Sequence, residues 1–222
     1  GLGSKSPFAY TNQFWVTAYK DGKKRNYVAT VDTDGSRLDE YPECDTDEAD
    51  GFEVGFVVKE DDFATFKSRA TEVYKYFSTQ PIVTGTDFEH EQPSEPKLSG
   101  DDWGFIGSHK DSIAIMGNIG YPIDEQKFWN DNLSWHEARN EPVYQMLNAG
   151  VILHFDIGEL SMTASREGLE YTGFVKEAIN NKVMKLRADL QKRVNGEFKH
   201  CNSMYEARLT LADYGDVIRT IE

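Results

Sequence analysis

The strongest constraint on this chain lies near its end. From Thr172 to Val194, apolar residues recur at Val175, Ile179, Val183, Leu186, Leu190 and Val194, at spacings of three and four. At 3.6 residues per turn they form one stripe along a long helix, with Asn195-Gly196 expected to stop it. An apolar stripe of that length has to be covered, so the chain must also supply a sheet or further helices. The supply is sufficient: 39% of residues are hydrophobic and 13% aromatic, which argues against disorder even with 28% charged. At 222 residues, the chain makes one large domain or two small ones.

The partners for the helix read as strands. Phe14, Val16 and Ala18 alternate with Trp15, Thr17 and Tyr19, Asp21-Gly22 gives a hairpin turn, and Tyr27 to Val31 returns. A second turn follows at Asp34-Gly35. An acidic loop from Asp39 to Asp50 leads into a strand, Phe52 to Val58. A helix capped by Asp61 or Asp62 then carries Phe63, Phe66, Ala70, Val73 and Phe77 on one face, and Ile82-Val83 reads as a short strand. Residues 87–101 read as a linker or long loop. Beyond it come strands at Trp103–Gly107, Ile113–Met116 and Val151–Phe155, a Gly120-Tyr121-Pro122 turn, and a helix over about Trp135–Asn148. A last helix from Ser203 to Ile221 is interrupted near Gly215. The expected fold class is α+β.

Charge narrows the function. Asp and Glu number 38 against 24 Lys and Arg, a net charge of −14, so there is no global basic footprint for nucleic acid. No apolar run approaches the ~18 residues that span a bilayer. The opening residues do not form a signal peptide, and without an initiator Met the chain is expected to be a processed product or an excised piece. Cys44 and Cys201 are far apart and fit two free thiols in a reducing cytoplasm.

Few motifs carry chemistry. In Gly1-Leu2-Gly3-Ser4-Lys5-Ser6, glycines let backbone amides approach phosphate oxygens and Lys5 adds charge, although the run also suits a flexible terminus. Ser165-Arg166-Glu167 has two readings: an arginine reaching a γ-phosphate, or a helix start with Ser165 as cap and Glu167 in the first turn. The Asp45–Gly51 loop misses the calcium pattern, with Ala49 at the third ligand position and the glycine one residue late. His136-Glu137 lacks its second histidine, since residue 140 is Asn140, so no metal site is expected. Lys176, Lys182, Lys185, Arg187, Lys192 and Arg193 form a basic run on the long helix. That run is a solvated face or a contact surface for nucleic acid or a membrane.

Taken together, the two phosphate-type motifs resemble a known family. GLGSKSPFAYTNQFWVTAYKDGKKRNYVA (residues 1–29) is similar to the glycine-rich lid segment and following hairpin of GHKL-type ATPases, which have the Bergerat fold. DGFEVGFVVKEDDFATF is similar to that family's next strand and helix start. LHFDIGELSMTASREGLEYT resembles its second-domain strand and arginine loop, and also the middle domain of the ninety-kilodalton heat-shock chaperones. The resemblance implies the trailing part of an ATP-binding domain in residues 1–86 and the linker at 87–101. It then implies a transducer-like α/β-sandwich domain with mixed sheets in 102–222. By resemblance, Gly1, Leu2, Gly3, Ser4 and Lys5 close over the triphosphate of ATP held with magnesium, and Arg166 is the catalytic arginine turned toward the γ-phosphate. The family's acidic base, magnesium-holding Asn and adenine-reading Asp-x-Gly segment have no counterpart here. This chain by itself is therefore not expected to hydrolyse ATP. Its implied setting is the cytoplasm of a phage-infected bacterium, either free or at the membrane periphery. Implied partners are a second copy, a front half of the domain, or an unknown protein. The alternative is a non-catalytic interaction module.

Overall fold

The computed structural model describes residues 2–107, 111–129, 141–165 and 167–221. The chain divides into two compact units, Gly1–Phe66 and Lys67–Glu222, and helices are present with one antiparallel and one mixed sheet, an α+β fold.

The first unit opens with a 3₁₀ helix, Leu2–Ala9, and continues as strands β1 (Gln13–Lys20), β2 (Lys23–Asp32), β3 (Gly35–Glu40), β4 (Cys44–Asp45) and β5 (Gly51–Gly55). The order is β3-β2-β1-β5, antiparallel throughout, with β4 on β2. Asp21 and Gly22 make the expected hairpin turn with φ of 53° and 70°, the paired left-handed geometry that matches strand twist. Register places Phe14, Val16 and Ala18 on one face, opposite Ala29, Tyr27 and Arg25 of β2 and, on the other side, Val54 and Phe52 of β5. Phe8 packs edge-on against Phe14 at 4.9 Å and helps bury it. Ala29 is buried beside Phe14, but the outer strands leave that face open at its sides, with Phe52 68% and Leu38 62% exposed.

Helix α1 (Phe63–Tyr74) follows a 3₁₀ turn, Glu60–Asp62. Asp62 does not cap it. Its carboxylate accepts from the Tyr10 hydroxyl at 2.6 Å, and that hydroxyl accepts from the Lys59 amide at 2.9 Å. The expected apolar stripe exists on α1, yet none of its side chains is buried. Ile82-Val83 is not a strand: it pairs with nothing and Ile82 is 92% exposed.

The second unit holds β6 (Leu98–Ser99), β7 (Trp103–Phe105), β8 (Ile113–Met116), β9 (Ile119–Pro122) and β10 (Val151–Phe155), in the order β6-β7-β10-β8-β9. Among the described residues only β10 and β8 run parallel. Gly120-Tyr121-Pro122 belongs to β9 instead of forming a turn. The reversal is one step earlier at Gly117, whose φ of 64° needs a glycine-like backbone. The helices are α2 (Glu125–Trp129), α3 (Pro142–Asn148), α4 (Gly173–Lys199), α5 (Met204–Asp213) and α6 (Gly215–Ile221). Of the helix expected over Trp135–Asn148, residues 135–140 lie outside the described residues. The described part begins at Pro142, because proline pushes Glu141 before it into extended backbone.

Thr172 caps α4, accepting from the Val175 amide, and all of the stripe from Val175 to Val194 is buried. The helix does not stop at Asn195-Gly196. It runs to Lys199, where Phe198 packs on the core, and that packing outweighs the ~1 kcal/mol a helical glycine costs. The stripe lies with Phe105, Leu153, Met146 and Leu147 in one core on one side of the sheet. On the other side, Ile106, Ile115 and Ile152 form a smaller cluster under Tyr76 and Ile113.

Candidate functional site

The sequence-predicted residues fall in both units. Leu2, Gly3, Ser4 and Lys5 lie in the 3₁₀ helix of the first unit, and Lys5 is exposed. Gly1 and Arg166 lie outside the described residues. The loop that carries Arg166 belongs to the second unit, and its flanks are hydrogen-bonded to each other. Met162 and Leu169 form an isolated antiparallel bridge. The Thr163 amide donates to Gly168 O at 2.9 Å, the Glu170 amide to Ser161 O at 3.0 Å, and the Thr163 and Ser165 hydroxyls meet at 3.1 Å. This is a pinned loop. It is not the helix start that Ser165 and Glu167 could also have signalled, because the helix begins only at Thr172.

The pinned loop borders a cleft in the second unit. That cleft, about 920 Å³, runs along β9 and is walled by the last turns of α1 and by Met162 and Glu167 of the loop. Tyr76 stands at its head. Its ring lies so close over Gly120 that a Cβ there would fall 2.4 Å from ring carbon. Burial raises the Tyr76 hydroxyl above its ordinary pKa, with neighbouring Lys75 lowering it and Glu91 raising it by lesser amounts. Beyond Tyr76 a smaller recess of about 470 Å³ continues to Ile106 and Ile152, sharing Lys75 and Glu91.

Charge in the cleft is mostly internally compensated. Arg69 pairs with Glu72 at 2.8 Å, and Lys75 pairs with Glu91. Glu167 has no ion-pair partner among the described residues. The remaining wall is apolar, with Val73, Ile119 and Met162 exposed to the space. Among the described residues no group of His, Cys, Asp and Glu is placed to hold a metal ion, and Cys44 and Cys201 are free thiols. Among the described residues of the cleft, none has the arrangement of a nucleophile with its base.

The basic run on α4 is largely engaged. Lys182 is tucked in, with its side chain 16% exposed; it donates to the His154 carbonyl, lies 3.5 Å from Asp102 and 3.7 Å from Glu159, and sits 4.4 Å over the Phe155 ring. Lys185 pairs with Asp102 at 3.1 Å, and Arg187 donates to Ile221 O at 2.6 Å. No helix among the described residues is long and apolar enough to cross a membrane.

Sequence reasoning found the pinned loop but missed the cleft. Tyr76 and Gly120 are forty-four positions apart and carry no shared pattern. Only Arg69 and Glu72, three apart on a helix, were readable as a pair. Compared with known protein families and with curated proteins, the sequence matches none.

Proposed function

We propose that this chain is part of a GHKL-type ATPase, similar to the rIIA proteins of T-even bacteriophages. It contributes the glycine-rich lid segment and a transducer-like domain. In this reading Gly1, Leu2, Gly3, Ser4 and Lys5 meet the triphosphate of ATP and magnesium through backbone amides, and Arg166 offsets charge that builds on the γ-phosphate. ATP binding and hydrolysis then drive a change of domain orientation or dimerisation.

The observation that carries this reading is the pinned loop from Met162 to Leu169. It follows the C-terminal end of β10, one of the two parallel strands, the side on which sheets with parallel strands place ligand chemistry. A loop held by a bridge and side-chain hydrogen bonds is a stiffer carrier for a charged residue than an open one.

The test uses a longer chain that also carries an acidic base helix and an adenine-reading segment. That protein hydrolyses ATP, and Arg166→Ala lowers its turnover by about a hundredfold or more. Unchanged turnover removes the assigned role. The present chain, titrated calorimetrically with magnesium and a non-hydrolysable ATP analogue, shows no binding in the micromolar range. Tight binding lost on Arg166→Ala would mean that an adenine pocket exists in this chain after all.

A second reading is favoured by the open face of the first sheet, where Leu38, Phe52 and Val54 are exposed together. Such a patch suits an interaction module. Size-exclusion chromatography with light scattering distinguishes the two: a stable oligomer independent of nucleotide supports the module, and a strict monomer counts against it.

A further inference from the structure

We infer that the cleft along β9 is a docking groove for an extended peptide of a partner protein, one that adds a strand to the sheet and carries a Lys or Arg beside Glu167. This goes beyond the ATPase reading and does not depend on it. Three observations identify the occupant.

The first is main-chain chemistry. β9 is the outer strand of its sheet. The Ile123 amide donates to Ser112 O at 2.8 Å, which fixes the alternation: Tyr121 and Ile119 turn their main-chain groups toward β8, while Gly120 and Pro122 turn theirs outward. Pro122 sits where its missing N–H would have pointed away from the sheet, the position a proline tolerates on an edge. The outward edge therefore offers the Gly120 amide, the Gly120 carbonyl and the Pro122 carbonyl. The cleft runs beside the whole of this strand. A donor followed by two acceptors at strand spacing is complemented by another extended main chain.

The second is the shape of the walls. Tyr76 covers the face of β9 toward which a Gly120 side chain would point, and Met162 meets Tyr121 on the opposite face, with Val73 of α1 also lining the cleft. Successive side chains of an added strand point to opposite faces. An added strand would thus place apolar side chains alternately against the α1 side and against Met162. An edge strand flanked by a helix is an established geometry for strand addition.

The third is charge. The cleft holds Arg69 and Lys75 against Glu72, Glu91 and Glu167. The two cations are taken by Glu72 and Glu91, which leaves Glu167 uncompensated among the described residues. The chain as a whole carries −14, so a cationic segment is also drawn in at long range.

The experiment is a selection of random displayed peptides of about twelve residues against the full chain without nucleotide. Enriched peptides should combine a Lys or Arg with apolar residues at alternate positions. Against Glu167→Lys protein, enrichment should move to Asp or Glu at the same position. A selected basic peptide should bind that variant about fivefold more weakly, the size expected for an exposed ion pair. It should also slow hydrogen exchange at the Gly120 amide when bound. N-methylation of its residue facing Gly120 should abolish binding. Glu167 is exposed, so the variant keeps its fold, which circular dichroism checks. Failure to enrich any peptide, enrichment with no basic position, or binding that leaves Gly120 exchange unchanged would each overturn the proposal. Because no nucleotide is present, failure here says nothing about ATP hydrolysis.

Discussion

Ser112 shows how much one buried polar side chain can hold in this protein. It is 2% exposed; its hydroxyl donates to Leu147 O and accepts from the Val151 amide at 3.0 Å. It thereby ties the end of α3 to the start of β10. Ser112→Ala leaves the buried Val151 amide without an acceptor, while Leu147 O keeps the Gly150 amide at 3.2 Å, and should lower the urea-unfolding free energy by about 1–3 kcal/mol. Gly120 is as tightly determined, but by sterics. In Gly120→Ala the new methyl meets the Tyr76 ring and either the ring or β9 must shift. The variant should melt at a lower temperature, and adding Tyr76→Ala should remove most of that penalty, a non-additivity that a double-mutant cycle measures. Asp102 supplies the pH dependence. Burial pushes its carboxyl up, but the hydrogen bond from Lys185 and the charges of Lys182 and Lys185 outweigh this and hold it below its ordinary value. A depressed carboxylate stabilises the fold at pH above its unfolded value, and that contribution is lost as pH falls through the folded value. Urea titrations below about pH 4 should therefore show a flatter acid limb for Asp102→Asn than for the parent.

Among the elements, α4 is the one whose deletion the second unit could not tolerate. Its buried stripe covers one side of a sheet whose central strand, β10, is buried at Val151, Leu153 and Phe155. Leu186 is fully buried, so Leu186→Ala should cost about 2–5 kcal/mol, depending on how far the site collapses. Thr172→Ala removes the N-cap of the same helix and should cost about 1 kcal/mol. The contrast with α1 is instructive. Both helices carry apolar residues at helical spacing, yet α1 buries none of them. Periodicity shows which side of a helix is apolar, but whether anything lies against that side depends on chain that is distant in sequence. The expected stop at Asn195-Gly196 failed for the same reason, since the Phe198 contact lies outside any local window.

At the scale of the molecule, the two units are unequal. The large core belongs to the second unit, where Phe105, Met146, Leu147 and Leu153 meet α4. The first unit buries only Phe14, Ala29 and Thr17 among its described residues. Local opening is easier where few apolar contacts must be broken. Hydrogen exchange followed by mass spectrometry should therefore show β1 and β2 amides exchanging well before those of β8 and β10. Equal protection in the two sheets would mean that something covers the open face of the first.

By itself the sequence determined the pieces that depend on neighbours along the chain. The hairpin at Asp21-Gly22 follows from two residues that accept positive φ, and the α4 stripe follows from spacing alone. The segment Ser165-Arg166-Glu167 could be singled out from its residues. Only the tertiary structure decided the rest. It set Tyr76 over Gly120, turned Gly120-Tyr121-Pro122 from a turn into an edge strand, and drew Lys182 from an apparently solvated face into contact with Asp102 and Phe155. Each of these joins residues far apart in sequence, where neither spacing nor propensity carries information and the outcome is set by which surfaces exclude water together.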